Sequence, residues 1–415
     1  MKRGFLFILF STFLLKGISQ QITTEQFSED FYYFWNTIKT DYCYWDKKNT
    51  NWDTVKTIYS KGLDTITSKA SFVALLEKMF YEIYDHHASL NTNTPESQRL
   101  VPSGADIWAE YVNNVPIITE VRKNLNAEKS GIKAGMQVIA LNDIPIEQAI
   151  KAILPRSMSS NDNEAKNYAL RVLLAGKHSE PRKITAIYKH QKLDFYPDQS
   201  GNIDIHEYES SIESKLLAND VGFIRINNCL GDNALIKDFD SVLNRFMKTK
   251  ALILDLRETP SGGNTTVARA IIGRFINKEG FYQKHELPAE QTATGVKRSW
   301  IEIVSPRKEI YSKPLVLLVN HWTGSVSEGI VIGFDAFKRV TTIGTKMAGL
   351  NGAIYSYQMP NTKIGFGFPV EKLYHINGQP RELFTPDIVV NVTNQNNNED
   401  KVLETALRFL NKNYK

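Results

Sequence analysis

The chain has 415 residues, 42% hydrophobic and 23% charged, with a formal net charge of +5. That length allows two or three domains, the composition is that of a globular protein, and the charge gives no reason to expect nucleic acid or an anionic membrane as a partner. The two cysteines, Cys43 and Cys229, are too few for a disulfide framework or a cysteine-rich zinc site. Their spacing does not establish a bond between them, and two separate buried thiols is the simpler reading.

Lys2 and Arg3 precede an apolar run from Gly4 to Leu15. Gly17 and Ser19 then stand three and one residues before a cut ahead of Gln20. This is the layout of a secretory signal peptide over residues 1–19. The run is short for a bilayer span, and no later stretch offers about eighteen uncharged apolar residues. Removing Lys2, Arg3 and Lys16 lowers the formal charge to +2. The mature chain is expected to be exported, periplasmic or secreted, without an integral membrane segment.

Residues 20–98 read as helical. Phe31, Phe34, Trp35 and Ile38 recur at helical spacing, as do Phe72, Leu75, Leu76, Met79 and Phe80. Both stripes are core. The segment closes on Asp85-His86-His87-Ala88-Ser89-Leu90.

Residues 99–200 change character. Val115 to Val121 reads as a strand, followed by Ser130-Gly131-Ile132-Lys133-Ala134-Gly135-Met136 and Val138 to Ile146. This string resembles a PDZ domain of the bacterial protease type, with Gln137 where that pattern has Asp. The resemblance implies binding of a peptide C-terminus by strand addition, although no carboxylate loop is evident near Gly104.

Residues 201–415 alternate strands and helices. Val221–Ile226, Ala251–Leu256, Leu315–Val319 and Val340–Gly344 are apolar strands. Asp238–Met247, Thr266–Phe275 and Val326–Phe337 are helices between and after them, and an amphipathic helix runs from Lys401 to Leu410. Apolar strands separated by helices predict an α/β core with a mainly parallel sheet. Asn394 to Asn398 is read as a solvated linker.

Three strings carry the chemistry. Asp255-Leu256-Arg257-Glu258-Thr259-Pro260-Ser261-Gly262-Gly263-Asn264 joins a buried strand to a helix. Its glycines either aim backbone N–H groups at an anion or simply make a tight turn. Gly324-Ser325-Val326-Ser327-Glu328 starts a helix after an apolar strand. Ser325 there is either a hydroxyl beside free N–H groups or one half of a Ser-x-x-Glu capping box. His86-His87 is the third. The chain has eight histidines, and spacing selects none of them as a base. No metal pattern such as H-E-x-x-H occurs, and no organic cofactor is implied.

In combination these strings resemble the S41 peptidase superfamily, its tricorn-like and C-terminal-processing members. Those proteins carry a DLR…GG turn, a G-(S/T)-x-S-E-type nucleophile segment and a late PDI strand. Here these are Asp255-Leu256-Arg257 with Gly262-Gly263, Gly324 to Glu328, and Pro386-Asp387-Ile388. The tricorn-like "DGH" string is matched by Asp85-His86-His87, with His86 in place of glycine. The resemblance implies an α/β fold, a mainly parallel-sheet crotonase/ClpP-like core (201–415) behind an N-terminal helical domain (20–98) and a PDZ-like domain (99–200). It implies an exported serine peptidase acting on peptide or protein substrates. Ser325 matches the nucleophile and His87 the general base. Val326 N–H and one from Gly262 or Gly263 match the oxyanion hole. Glu382 is the nearest candidate for the glutamate that orients the histidine. A serine–lysine branch of the superfamily puts its lysine where Leu350 stands here, with Lys346 four residues early. The alternative is a catalytically degenerate S41-fold protein that binds a peptide or an apolar ligand.

Overall fold

The computed structural model describes residues 22–199, 208–393 and 399–414. The expected signal peptide (1–19) and asparagine-rich linker (394–398) lie outside these residues.

Helices α1 (Thr24–Asp41), α2 (Trp52–Ser60) and α3 (Lys69–Tyr81) open the chain. Thr23, Asn51 and Ser68 cap their N-termini with side-chain oxygens, which satisfies donors that a helix start leaves free. The two expected stripes face one core: Phe31, Phe34, Ile38, Phe72 and Leu76 are fully buried. Strand β1 (Ser89–Leu90) follows.

The middle of the chain holds β2 (Ile107–Val112), β3 (Val115–Val121), α4 (Asn126–Lys129), β4 (Gln137–Leu141), β5 (Ile144–Pro145), α5 (Ile146–Ala149), α6 (Asn163–Ala175), β6 (Ile184–Tyr188) and β7 (Gln191–Phe195). Strands 2, 3, 4, 6 and 7 form an antiparallel sheet in that order, with β5 beside β4. β2 is an edge, and α6 closes it. Tyr111 N–H donates to Asn167 Oδ1 at 2.8 Å, and Arg171 Nε donates to the Ala109 carbonyl at 3.2 Å. Two of the backbone groups on this edge that an added peptide strand would use are thus taken by the helix's own side chains.

The last part contains β8 (Ile212–Leu217), β9 (Val221–Asn227), α7 (Ala234–Arg245), β10 (Ala251–Glu258), α8 (Thr265–Ile272), β11 (Gly280–Glu286), α9 (Pro288–Thr294), β12 (Ser299–Val304), β13 (Leu315–Val319), α10 (Val326–Ala336), β14 (Thr341–Gly344), β15 (Ala353–Gln358), β16 (Gly365–Tyr374), β17 (Ile388–Val389) and α11 (Lys401–Asn413). The central sheet runs β17-β14-β13-β10-β9-β8, parallel except for the β8–β9 pair. Its strands are apolar on both faces because helices cover both. Leu252 and Leu254 face α7, α8 and α10, while Ile253 and Val316 face α11.

A third sheet, β1-β16-β11-β12 with β15 on β16, does not follow from the periodicity. It ties the N-terminal helices to the core: Phe366, Phe368 and Val370 of β16 share their cluster with α1 and α3. The middle part is fused to the core as well. Trp322 is fully buried, and its indole N–H donates to the Ala105 carbonyl at 2.7 Å. Cys43 and Cys229 are not bonded to each other. No helix among the described residues is long and apolar enough to cross a membrane.

Candidate active site

β10 and β13 lie side by side in parallel, so the loops that follow them meet at one end of the sheet. In such sheets ligands bind at the carboxyl ends of the strands. Hydrogen bonds stitch the two loops together. Thr259 N–H donates to the Trp322 carbonyl at 3.2 Å, Gly324 N–H to the Thr259 carbonyl at 3.3 Å, and Thr323 Oγ1 to the Leu256 carbonyl at 3.0 Å.

Ser325 stands where this seam becomes α10. Its backbone has φ 54° and ψ −113°. An ordinary cap is extended with negative φ, and a non-glycine residue at positive φ stores strain. Glu328 supplies the reciprocal arm of the expected box, its Oε2 accepting from Ser325 N–H at 2.8 Å. Val326, the first residue of the helix, has an N–H with no intrahelical acceptor.

The two glycines of the β10 turn do different things. A Cβ on Gly262 would stand 2.5 Å from Ser325 Cβ, 2.9 Å from Ser325 Oγ and 3.3 Å from Val326 N. Gly262 therefore faces the serine, and its φ of +69° suits glycine. A Cβ on Gly263 would stand 2.2 Å from the carbonyl carbon and oxygen of Leu230. Gly263 is glycine because the loop after β9 passes against it.

Residues 349–352 link the serine to the histidine. Glu328 is fully buried and accepts from Gly349 N–H at 2.9 Å and Leu350 N–H at 3.3 Å. Arg381, also buried, donates to the carbonyls of Leu350 (3.0 Å) and Gly352 (2.8 Å). Between them, the Asn351 carbonyl lies 2.6 Å from His87 Nδ1. With that nitrogen protonated, Nε2 carries the lone pair. Asp85 braces the arrangement by accepting from His87 N–H (2.9 Å), Asn351 Nδ2 (2.9 Å) and the Tyr42 hydroxyl (2.7 Å). Burial, assisted by the Arg381 charge, lowers the His87 pKa to about 4. Burial raises that of Glu328 to about 7, against the pull of Arg381 and of the N–H groups of Ser325 and Gly349.

Gly349, Leu350 and Asn351 also line a cleft of about 530 Å³ that reaches Lys47, Trp108 and Glu382. The structure thus brings Ser325, Gly262 and Val326 together, and joins His87 to them through residues 349–352. Among the described residues no hydrogen bond connects His87 to Ser325 or to Glu382. Glu382 forms an ion pair with Lys47, and its Oε2 is buried without a partner. Lys346 is exposed at the cleft, not buried as a lysine base requires. Arg381 and Asn351 carry no sequence signal for their roles, since both act through contacts that only the fold creates.

Residues 220–390 match the family model "Peptidase family S41", and residues 23–81 match "Tricorn protease C1 domain". Ser325, Val326, Gly262, Gly263 and Glu382 lie within the first stretch, and His87 lies outside both. The fold resembles that of mature CPAF, with a TM-score of 0.61 at 15% identity over 94% of this chain and 96% of that one. It also resembles the photosystem II D1 C-terminal processing protease, with a TM-score of 0.58 at 15% identity over 92% and 97%. At such identity these likenesses concern the fold; the matched stretches relate residues 220–390 to the S41 peptidases and residues 23–81 to the tricorn protease C1 domain.

Proposed function

We propose that this protein is an exported serine peptidase that cleaves peptide bonds through an acyl-enzyme on Ser325. The observation that carries the reading is the contact of Gly262 with Ser325 and Val326. It leaves no room for a side chain beside the hydroxyl and sets a glycine turn against the helix start where an oxyanion would form.

His87 Nε2 takes the Ser325 proton as Oγ attacks the carbonyl carbon. The N–H groups of Val326 and Gly262 hold the oxyanion. His87 then protonates the departing amine, and water, deprotonated by the same ring, releases the acid and restores the serine. The resting ring is held by Asn351, and the Ser325–His87 bond forms as substrate binds, as active-site contacts commonly tighten in the Michaelis complex. Glu382 acts on the cleft wall rather than on the ring in the resting arrangement. The core (201–415) supplies the nucleophile and the N-terminal helical domain (20–98) the base, with the PDZ-like domain (99–200) as the third wall. Residues 1–19 direct export to the periplasm or the medium.

The Glu382–Lys47 pair favours a second reading, a degenerate protein that binds a peptide without cleaving it. Fluorophosphonate labelling of the mature protein separates the two. Label on the wild type that is lost in Ser325→Ala supports the peptidase. Folded wild type that stays unlabelled in the presence of peptides favours the binding protein.

A further inference from the structure

Strand β3 alternates, and its buried row is Pro116, Ile118 and Glu120. Ile118 packs in the apolar core of the middle part, so a carboxylate stands where the period calls for an apolar side chain. Glu120 is 7% exposed, and a carboxylate so far from water needs donors. Among the described residues both donors to its side chain come from the core of the protein, not from its own sheet. His321 Nδ1 lies 2.5 Å and Thr345 Oγ1 2.7 Å from one oxygen, Glu120 Oε2. The His321 ring lies flat on Trp108 of β2, with centroids 4.6 Å apart and planes at 19°, and the Arg171 guanidinium of α6 stands 4.3 Å from the same indole.

His321 and Thr345 belong to the two loops on which the site is built. His321 lies four residues before Ser325, and Thr345 four residues before Gly349. The loops meet main chain to main chain, through Thr345 N–H on the Val319 carbonyl (3.2 Å) and Ala348 N–H on the Thr323 carbonyl (3.1 Å). Glu120 adds a tie from another part of the chain that gathers one side chain from each loop onto a single atom. His321 and Trp108 line the cleft, and Glu120 is not among the residues that do.

We infer that Glu120 is a positioning residue: it sets the spacing between the Ser325 loop and residues 349–352, and through it the middle part of the chain controls how the nucleophile is aligned with the loop that holds His87. The effect on turnover rests on the peptidase reading, and the ordering of the two loops does not.

The test compares variants by kinetics and by amide hydrogen exchange. Glu120→Ala should lower kcat about tenfold or more with KM nearly unchanged, because displaced loops cost alignment rather than binding. Glu120→Gln keeps an acceptor oxygen at the same reach and should recover most of the rate. Ile118→Ala empties the same face of β3 and should lower the melting temperature with kcat intact. Hydrogen exchange needs no turnover. In Glu120→Ala the N–H groups of Thr345 and Ala348 should exchange faster relative to the rest of the core. Thr345→Val is nearly isosteric, removes one donor, and should show the same change at Ala348 in smaller degree even if Glu120→Ala fails to fold. A wild type that neither cleaves peptides nor takes a fluorophosphonate refutes the peptidase reading, and exchange then decides the inference alone. Unchanged exchange in Glu120→Ala and Thr345→Val, or an equal loss of kcat in Glu120→Ala and Ile118→Ala, overturns it.

Discussion

Glu328 and Arg381 grip one short loop from opposite sides. The carboxylate accepts from the N–H groups of Gly349 and Leu350, the guanidinium donates to the carbonyls of Leu350 and Gly352, and the two side chains lie 3.9 Å apart. The same carboxylate holds Ser325 N–H, and the loop presents Asn351 to His87. In the proposed mechanism Arg381 is therefore a positioning residue for both ends of the site. Arg381→Met should lower kcat at least tenfold while leaving KM within a few-fold. It should also destabilise the protein by about 3–5 kcal/mol, because Glu328 loses its compensating charge. Steady-state kinetics with urea denaturation checks both, and a change confined to stability would refute the positioning role.

The backbone strain at Ser325 predicts a trade between function and stability. Ser325→Gly should abolish turnover and raise stability by about 1 kcal/mol, because glycine adopts positive φ without steric penalty. Ser325→Ala should abolish turnover and leave stability near that of the wild type. Thermal unfolding of the two variants side by side makes the comparison.

The two glycines should fail differently. Gly262→Ala puts a methyl group on the hydroxyl and should cost roughly 10²–10³ in kcat. Gly263→Ala collides with the Leu230 backbone, so its main loss should appear in the melting temperature. Equal behaviour in both assays would show that the turn, not Gly262, is what the site needs.

The pH profile follows from His87. Burial and the Arg381 charge lower its pKa from 6.5 to about 4, so the neutral ring persists to low pH. The acid limb of kcat/KM should fall near pH 4–5. For stability the sign is the reverse of a salt-bridged histidine. Below pH 6.5 the unfolded chain takes up a proton that the folded ring refuses, so this group's contribution is lost as pH falls toward 4. Glu328, lifted from 4.5 to about 7, acts oppositely and adds stability as pH falls from 7 to 4.5. His87→Asn should therefore gain stability relative to the wild type on going from pH 7 to pH 4, as read from urea midpoints at each pH.

The covered edge of β2 is testable at single amides. Asn167→Ala should free Tyr111 N–H, raise its hydrogen-exchange rate and destabilise the protein by about 1–3 kcal/mol. The same exposure should let a peptide pair with β2. If the variant still fails to bind peptide ends, strand addition is not a function of this part of the chain.

How much of this was legible beforehand depended on whether the information is local. The stripes of α1 and α3, the strand Val115–Val121, the parallel core and the start of α10 follow from periodicity and caps, which short stretches encode. The β10 turn and Ser325 were marked by glycine and by a helix start. The choice between Gly262 and Gly263 was not, because it depends on what lies opposite, Ser325 in one case and Leu230 in the other. The strands of the third sheet escaped for a similar reason. β1 is two residues long, and β16 buries almost its whole length, so neither shows an alternating pattern. Position relative to Pro386-Asp387-Ile388 points to Glu382, while the neighbour that reaches residues 349–352 is Arg381.

The stitching of residues 349–352 to Glu328, Arg381 and His87 also sets a timetable. The histidine is made early, the serine late and the arginine later still. A chain emerging at roughly 5–20 residues per second holds the ring long before it holds the clamp. Until Arg381 is in place, the carbonyls of Leu350 and Gly352 that flank Asn351 lack their guanidinium donor. The order of residues along the chain thus leaves both Ser325 and the arginine of the clamp for the last stretch to be made.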